Sequence, residues 1–352
     1  MSIRSRLSDS PLAQLVLMRF REFLREPEAV FWTFVFPVLL SAGLGIAFHQ
    51  RAPEAAHVGV VAGAAGAADL AATLRRDSLV APELLDDTGA MRALRTGRIA
   101  LLVRPLAGGA VEYAYDETRS DARAARLLVD RAVQGAAGRR DPVAVTERQV
   151  RERGARYIDF VVPGILGMNL MGSGIWSLGF AIVDARKRKL LKRLVVTPMS
   201  RAQYLLSFLV SRLLFLILEV ATLIGFAALV FDVPLRGSPF ALALICLLGA
   251  LAFGGIGLLI ASRATTIEGA SGLMNLVMLP MWISSGVFFS AANFPKAIQP
   301  FIQALPLTAV NDALRANMLQ GSGWPALAPE LGIIAAWMAG SFVLALKLFR
   351  WR

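Results

Sequence analysis

Six long apolar blocks restrict the fold of this chain more than any other feature. A bilayer hydrocarbon core of roughly 30 Å takes a helix of about 20 mostly apolar residues. Blocks of that kind cover 30–48, 158–183, 204–231, 239–261, 269–289 and 331–349. Lipid offers no partner to a free backbone amide, so each block reads as a helix. Composition agrees: of 352 residues, 56% are hydrophobic and 18% charged, against about 25% charged in ordinary soluble domains. An ordinary cytosolic enzyme and a disordered chain are both excluded.

A different kind of sequence separates the first two blocks. Residues 49–157 carry Arg75, Arg76, Asp77, Asp86, Asp87, Arg139 and Arg140, and no window among them is apolar enough to span. The pattern is mixed α/β. Strands are expected at 57–62, 99–103 and 110–115, the last two joined through Pro105 and Gly108-Gly109. Helices are expected at 67–76, 88–98 and 120–134, with Ser120 as the cap of the last. The expected fold class is therefore an α-helical integral membrane protein, six transmembrane helices with a small α/β domain between the first and second. The organisation reads as 1–28 interface helix, 29–48 first span, 49–157 α/β domain and 158–352 five further spans.

Basic residues set the orientation. Arg4, Arg6, Arg19, Arg21 and Arg25 precede the first block, and the 184–203 loop holds Arg186, Lys187, Arg188, Lys189, Lys192, Arg193 and Arg201. The opposite short loops hold Arg236, Lys296 and Arg315. Both termini and the 184–203 loop are expected in the cytoplasm of a bacterial inner membrane, and 49–157 outside it. The first block reads as a retained signal anchor. The net charge of +12 is thus topological; acids offset the arginines of 49–157, and no nucleic-acid surface is expected.

Residues 11–26 read as an amphipathic helix on the membrane surface, with Leu12, Leu15, Val16, Phe20, Phe23 and Leu24 on one face. Residues 290–330 are semi-apolar but broken by Pro295, Pro300, Pro306 and Pro325. They read as one or two short helices re-entering the outer leaflet.

No catalytic set is visible. None of the five lysines, Lys187, Lys189, Lys192, Lys296 and Lys347, follows a glycine, so there is no phosphate-cradling Gly-Lys loop. One cysteine, Cys246, and two histidines, His49 and His57, leave no cysteine-cluster or histidine-rich metal site. The 184–200 stretch combines charge with an apolar stripe, Leu190, Leu191, Leu194 and Val195, ended by Thr197-Pro198. Lipid headgroups account for the charge; the stripe also fits docking to a partner.

Several stretches resemble the permease subunits of type-2 ATP-binding-cassette (ABC) exporters. They are YIDFVVPGILGMNL at 157–170, KRLVVTPMS at 192–200, EGASGLMNL at 268–276, PMWISSGVFF at 280–289 and PLTAVNDALR at 306–315. The resemblance implies a permease with no cofactor of its own, ATP and magnesium being held by a separate ABC ATPase subunit. It further implies a second permease subunit, the same chain or a related one. By analogy, contact with the ATPase falls to Arg186, Arg188, Leu190, Leu191, Lys192, Arg193 and Leu194, with the 12–26 helix as a second contact.

Polar groups inside spans are costly and mark candidate sites. Asn169, Glu219 and Asn275 are the candidates for a translocation path or a helix seam. Arg212, seven residues before Glu219 on a similar face, reads as snorkelling to the interface or pairing with another helix. Glycines cluster in the second block (Gly164, Gly167, Gly172, Gly174, Gly179) and the fourth (Gly249, Gly254, Gly255, Gly257). Close packing within the chain and a dimer seam are both open to them. Two other functions compete. An ion-coupled secondary transporter would show an internal repeat or broken helices around a midplane site, and neither is clear here. A membrane-tethered sensor or assembly protein would not need five spans after its outer domain.

Overall fold

The computed structural model describes residues 11–48, 55–139, 143, 154, 156–187, 201–264 and 266–348. Two compact units emerge, one of residues 50–150 and one of 1–49 with 151–352.

The 50–150 unit is α/β. Strands β1 (Ala56–Val61), β2 (Val80–Leu85), β3 (Leu101–Pro105) and β4 (Val111–Ala114) form one sheet in the order β2-β1-β3-β4. β1 runs parallel to β2 and β3, and β4 is antiparallel to β3. Parallel strands need cover on both faces. Helices α3 (Ala67–Leu74) and α5 (Ser120–Ala136) close one face over Val58, Val60, Leu101 and Val103. Helix α4 (Asp87–Arg95) closes the other with Ala90 and Ala93 against Val61, Ile99 and Leu102.

Two details depart from the sequence reading. β2 was not expected, because Pro82 interrupts its pattern. It lies at the sheet edge, where a missing N–H costs no ladder bond. Ser120 is not the cap of α5. Arg119 occupies that position with extended backbone and makes no side-chain cap bond.

The helical unit begins with α1 (Pro11–Leu24). Phe20 of α1 stacks on Phe215 at 5.4 Å, and Phe23 lies 4.5 Å from the same ring and 6.0 Å from Phe34. The aromatic face of α1 is therefore docked on protein. Leu17, Met18 and Leu24 remain exposed.

Five helices among the described residues are long and apolar enough to cross a membrane. They are α2 (Pro27–Ala47), α6 (Tyr157–Lys187), α7 (Arg201–Phe231), α8 (Pro239–Arg263) and α12 (Trp324–Leu348). The fifth expected span, 269–289, is shorter than its sequence implied. Helix α9 runs Ile267–Ser284, 18 residues, or about 27 Å, and is not among the five. It stops because Gly286 turns into left-handed backbone at φ 72°. Two short helices follow, α10 (Gln299–Gln303) and α11 (Pro306–Met318), as the proline spacing implied.

Helix α8 is the hub, packed against α6 and α12. Glycines allow the close approach. A Cβ on Gly257 of α8 would stand 2.5 Å from the Ile175 carbonyl oxygen of α6, and one on Gly174 of α6 would stand 2.8 Å from Phe253 Cβ of α8. Gly254 meets Leu178, and Gly255 meets Ser341 of α12. These glycines serve contacts inside the chain.

Candidate functional site

A polar cluster lies between α6 and α7. Glu219 is 2% exposed. Arg212 Nη1 lies 2.8 Å from Glu219 Oε1. Ser173 of α6 completes the set: its Oγ donates to Glu219 Oε2 at 3.0 Å and accepts from Arg212 Nη2 at 2.7 Å. Seven residues of helix rise about 10.5 Å, a gap the long arginine side chain bridges along α7. Arg212 thus does not snorkel away: it holds Glu219 of its own helix and, through Ser173, also bonds another helix, α6. A buried carboxylate without a cation is strongly unfavourable, so the pair is interdependent.

The other two candidates lie apart from this cluster. Asn169 of α6 is buried and donates Nδ2–H to the Thr33 carbonyl at 3.2 Å. Thr33 belongs to a π-helical turn, Phe31–Val35, inside α2. Asn169 therefore ties α6 to α2. Asn275 is exposed on α9, on the side of Leu276 and Leu279. The buried stripe of α9, Ala270, Met274, Met278 and Met281, turns the other way. No hydrogen bond joins Asn169, Glu219 and Asn275 to one another among the described residues.

Arg186 lies in the last turn of α6. Arg188, Leu190, Leu191, Lys192, Arg193 and Leu194 lie outside the described residues. Among the described residues no group of three or more His, Cys, Asp or Glu could hold a metal.

Two clusters were missed in the sequence. At the start of α6, Asp159 is 0% exposed and accepts from Gly154 N at 2.9 Å, Arg156 N at 3.0 Å, and Arg156 Nε and Nη2 at 2.9 and 2.7 Å. Arg156 also reaches the Asp232 carbonyl at 3.2 Å. The three-residue spacing just before an apolar run was the available signal.

The second cluster closes the end of α9. Asn311 of α11 donates to the Ser285 carbonyl at 2.8 Å. Arg315, one turn on, donates to the carbonyl of Gly286 and to that of Phe160 at 3.3 Å. Its guanidinium also lies 3.8 Å from the centre of the Phe160 ring and 3.5 Å from Asp312. Carbonyls at a helix end carry negative partial charge, which a cation satisfies. The four-residue spacing of Asn311 and Arg315 puts both on one face of α11, though the sequence reading treated Arg315 only as a loop charge.

Comparison with known proteins adds the lineage. The family model described as "ABC-2 family transporter protein" matches residues 28–347. ABC transporter G family member 20 of Dictyostelium discoideum is 26% identical over 198 residues, covering 55% of this chain and 26% of that protein. Linearmycin resistance permease protein LnrN of Bacillus subtilis (strain 168) is 28% identical over 176 residues, covering 48% of this chain and 44% of that protein. The chain thus matches less than half the length of both relatives.

Proposed function

This chain belongs to the ABC-2 family of transporter proteins, and from that premise we propose that it is the permease subunit of an ABC exporter. In this reading it forms the path across the bilayer, and a separate ABC ATPase drives it from the cytoplasmic side. The family match over residues 28–347 carries the reading. The five long apolar helices support the membrane role. α9 completes a six-span arrangement by reaching through a locally thinned or protein-lined region, its end capped by α11.

Charge asymmetry supports an orientation with both termini and the 184–203 loop in the cytoplasm and the 50–150 unit outside. Contact with the ATPase is assigned to Arg186, Arg188, Leu190, Leu191, Lys192, Arg193 and Leu194, with α1 as a second contact. A second permease subunit, identical or related, is expected to complete the path. The exposed α9 face with Asn275 is the segment assigned to that path or seam, since an amide facing lipid is unfavourable.

The test is purification with native partners. Co-elution of an ATPase whose activity rises in the presence of this chain supports the reading. Transport by the isolated chain in ATP-depleted vesicles, driven by an ion gradient, overturns it.

A further inference from the structure

An open groove of about 470 Å³ lies between α10 and α12, lined by Pro300, Gln303, Ala304, Ile333, Ala336 and Trp337. Its wall is apolar apart from Gln303. The one indole donor is already used: Trp337 Nε1–H bonds the Ala304 carbonyl at 2.8 Å. That bond also fixes the indole as a wall of the groove. Beside it Phe301 is 74% exposed, and Trp337 itself is 39% exposed. Trp337 lies 13 residues into α12, about 20 Å along the helix axis. A helix of this length crossing a core of roughly 30 Å places that point within the hydrocarbon.

The turn leading into α10 carries a cation. Gln299 Nε2 donates to the Ala291 carbonyl at 2.8 Å and the Phe294 carbonyl at 2.9 Å. These two bonds close the 294–299 turn and pin it at the head of α10. Lys296 lies in that turn. It is exposed and has no ion-pair partner among the described residues. An exposed lysine on a pinned turn thus stands four residues ahead of Pro300, the first groove residue of α10.

We infer that this groove is a binding site for one anionic phospholipid, an acyl chain lying against Trp337 and Ala336 and the headgroup phosphate meeting Lys296. An apolar groove at hydrocarbon depth accepts a chain and offers little to water. A lysine on a flexible stem reaches from such a position to headgroup level. Charge complementarity selects an anionic headgroup over a zwitterionic one. The site requires α12 to cross a bilayer but is independent of the direction of transport and of the ATPase.

The experiment uses the full chain reconstituted in vesicles doped with phosphatidylglycerol or phosphatidylcholine, each brominated in mid-chain. Bromine quenches tryptophan on contact, and the difference between wild type and Trp337→Phe isolates the emission of Trp337. Phosphatidylglycerol should half-quench it at a mole fraction about five-fold lower than phosphatidylcholine, the discrimination one basic residue gives at an anionic surface. Lys296→Gln should bring the two lipids level. Ala336→Phe, which fills the groove and leaves Trp337 in place, should lower quenching by both. Three results would each overturn the site: Trp337 emission unaffected by either lipid, as when a second copy covers the groove; equal quenching by both lipids in the wild type; or a headgroup preference that survives Lys296→Gln.

Discussion

Arg212 and Glu219 stand two helical turns apart on α7 and are joined at 2.8 Å, and both bind the one hydroxyl of Ser173 on α6. Three side chains from two helices thus share one closed polar network in an otherwise apolar contact. Each is satisfied only while the other two remain.

Glu219→Gln removes the charge that Arg212 faces. Breaking one member of a buried pair costs about 3–5 kcal/mol, whereas replacing both by apolar residues is often near neutral. Glu219→Gln should therefore lower the melting temperature in detergent clearly, and Arg212→Met with Glu219→Met should recover most of the loss. If the single variant melts like wild type, the pair is not a structural lock. Unchanged export by a folded Glu219→Gln protein would remove Glu219 from the transport path.

Gly257→Ala should weaken the α6–α8 contact, since the added carbon meets the Ile175 carbonyl at 2.5 Å. Overpacking of this kind costs about 1–3 kcal/mol. Gly272→Ala on α9 is the control. Nothing lies within 4 Å of its Cβ position, and alanine gains up to about 1 kcal/mol over glycine in a helix. Thermal unfolding of the two purified proteins should move in opposite directions.

Arg315→Lys keeps the charge but loses the planar fork that serves the Gly286 and Phe160 carbonyls together. Hydrogen bonds to charged groups contribute about 1.5–3 kcal/mol each. The end of α9 should loosen, seen as faster tryptic cleavage after Lys296 at unchanged insertion. An unaltered cleavage rate would mean that Arg315 does not hold this junction.

Arg188→Glu, Lys192→Glu and Arg193→Glu together should abolish transport while leaving insertion intact and ATP hydrolysis by the partner running free of it. Measuring both activities on the same vesicles decides the matter. Transport that survives the triple change removes this loop from the coupling route.

The resolution of these sites in the sequence follows the range of the forces that make them. The 30–48 and 239–261 blocks were legible because the cost of unpaired amides in lipid acts on every residue of a window, whatever its neighbours. The α/β alternation of 50–150 was legible because apolar periodicity and turn residues are also local signals, and β2 was not, because Pro82 opposes a strand locally and only the sheet edge tolerates it. Arg212 and Glu219 were visible as residues on a similar face, but Ser173 comes from a helix distant in sequence. Asn311 and Arg315 had the spacing of a shared face, yet nothing along the chain says that Ser285 and Gly286 arrive beneath them.

By itself, then, the chain's order of residues determined which segments are apolar enough to leave water and where the folded α/β insertion lies, since hydrophobic transfer and helix periodicity are summed locally. Tertiary structure decided where α9 stops, which glycines touch which carbonyls, and that Glu219 is held by Arg212 and Ser173. Those outcomes depend on contacts of a few ångströms between segments far apart in the chain, and such distances exist only once the helices have packed.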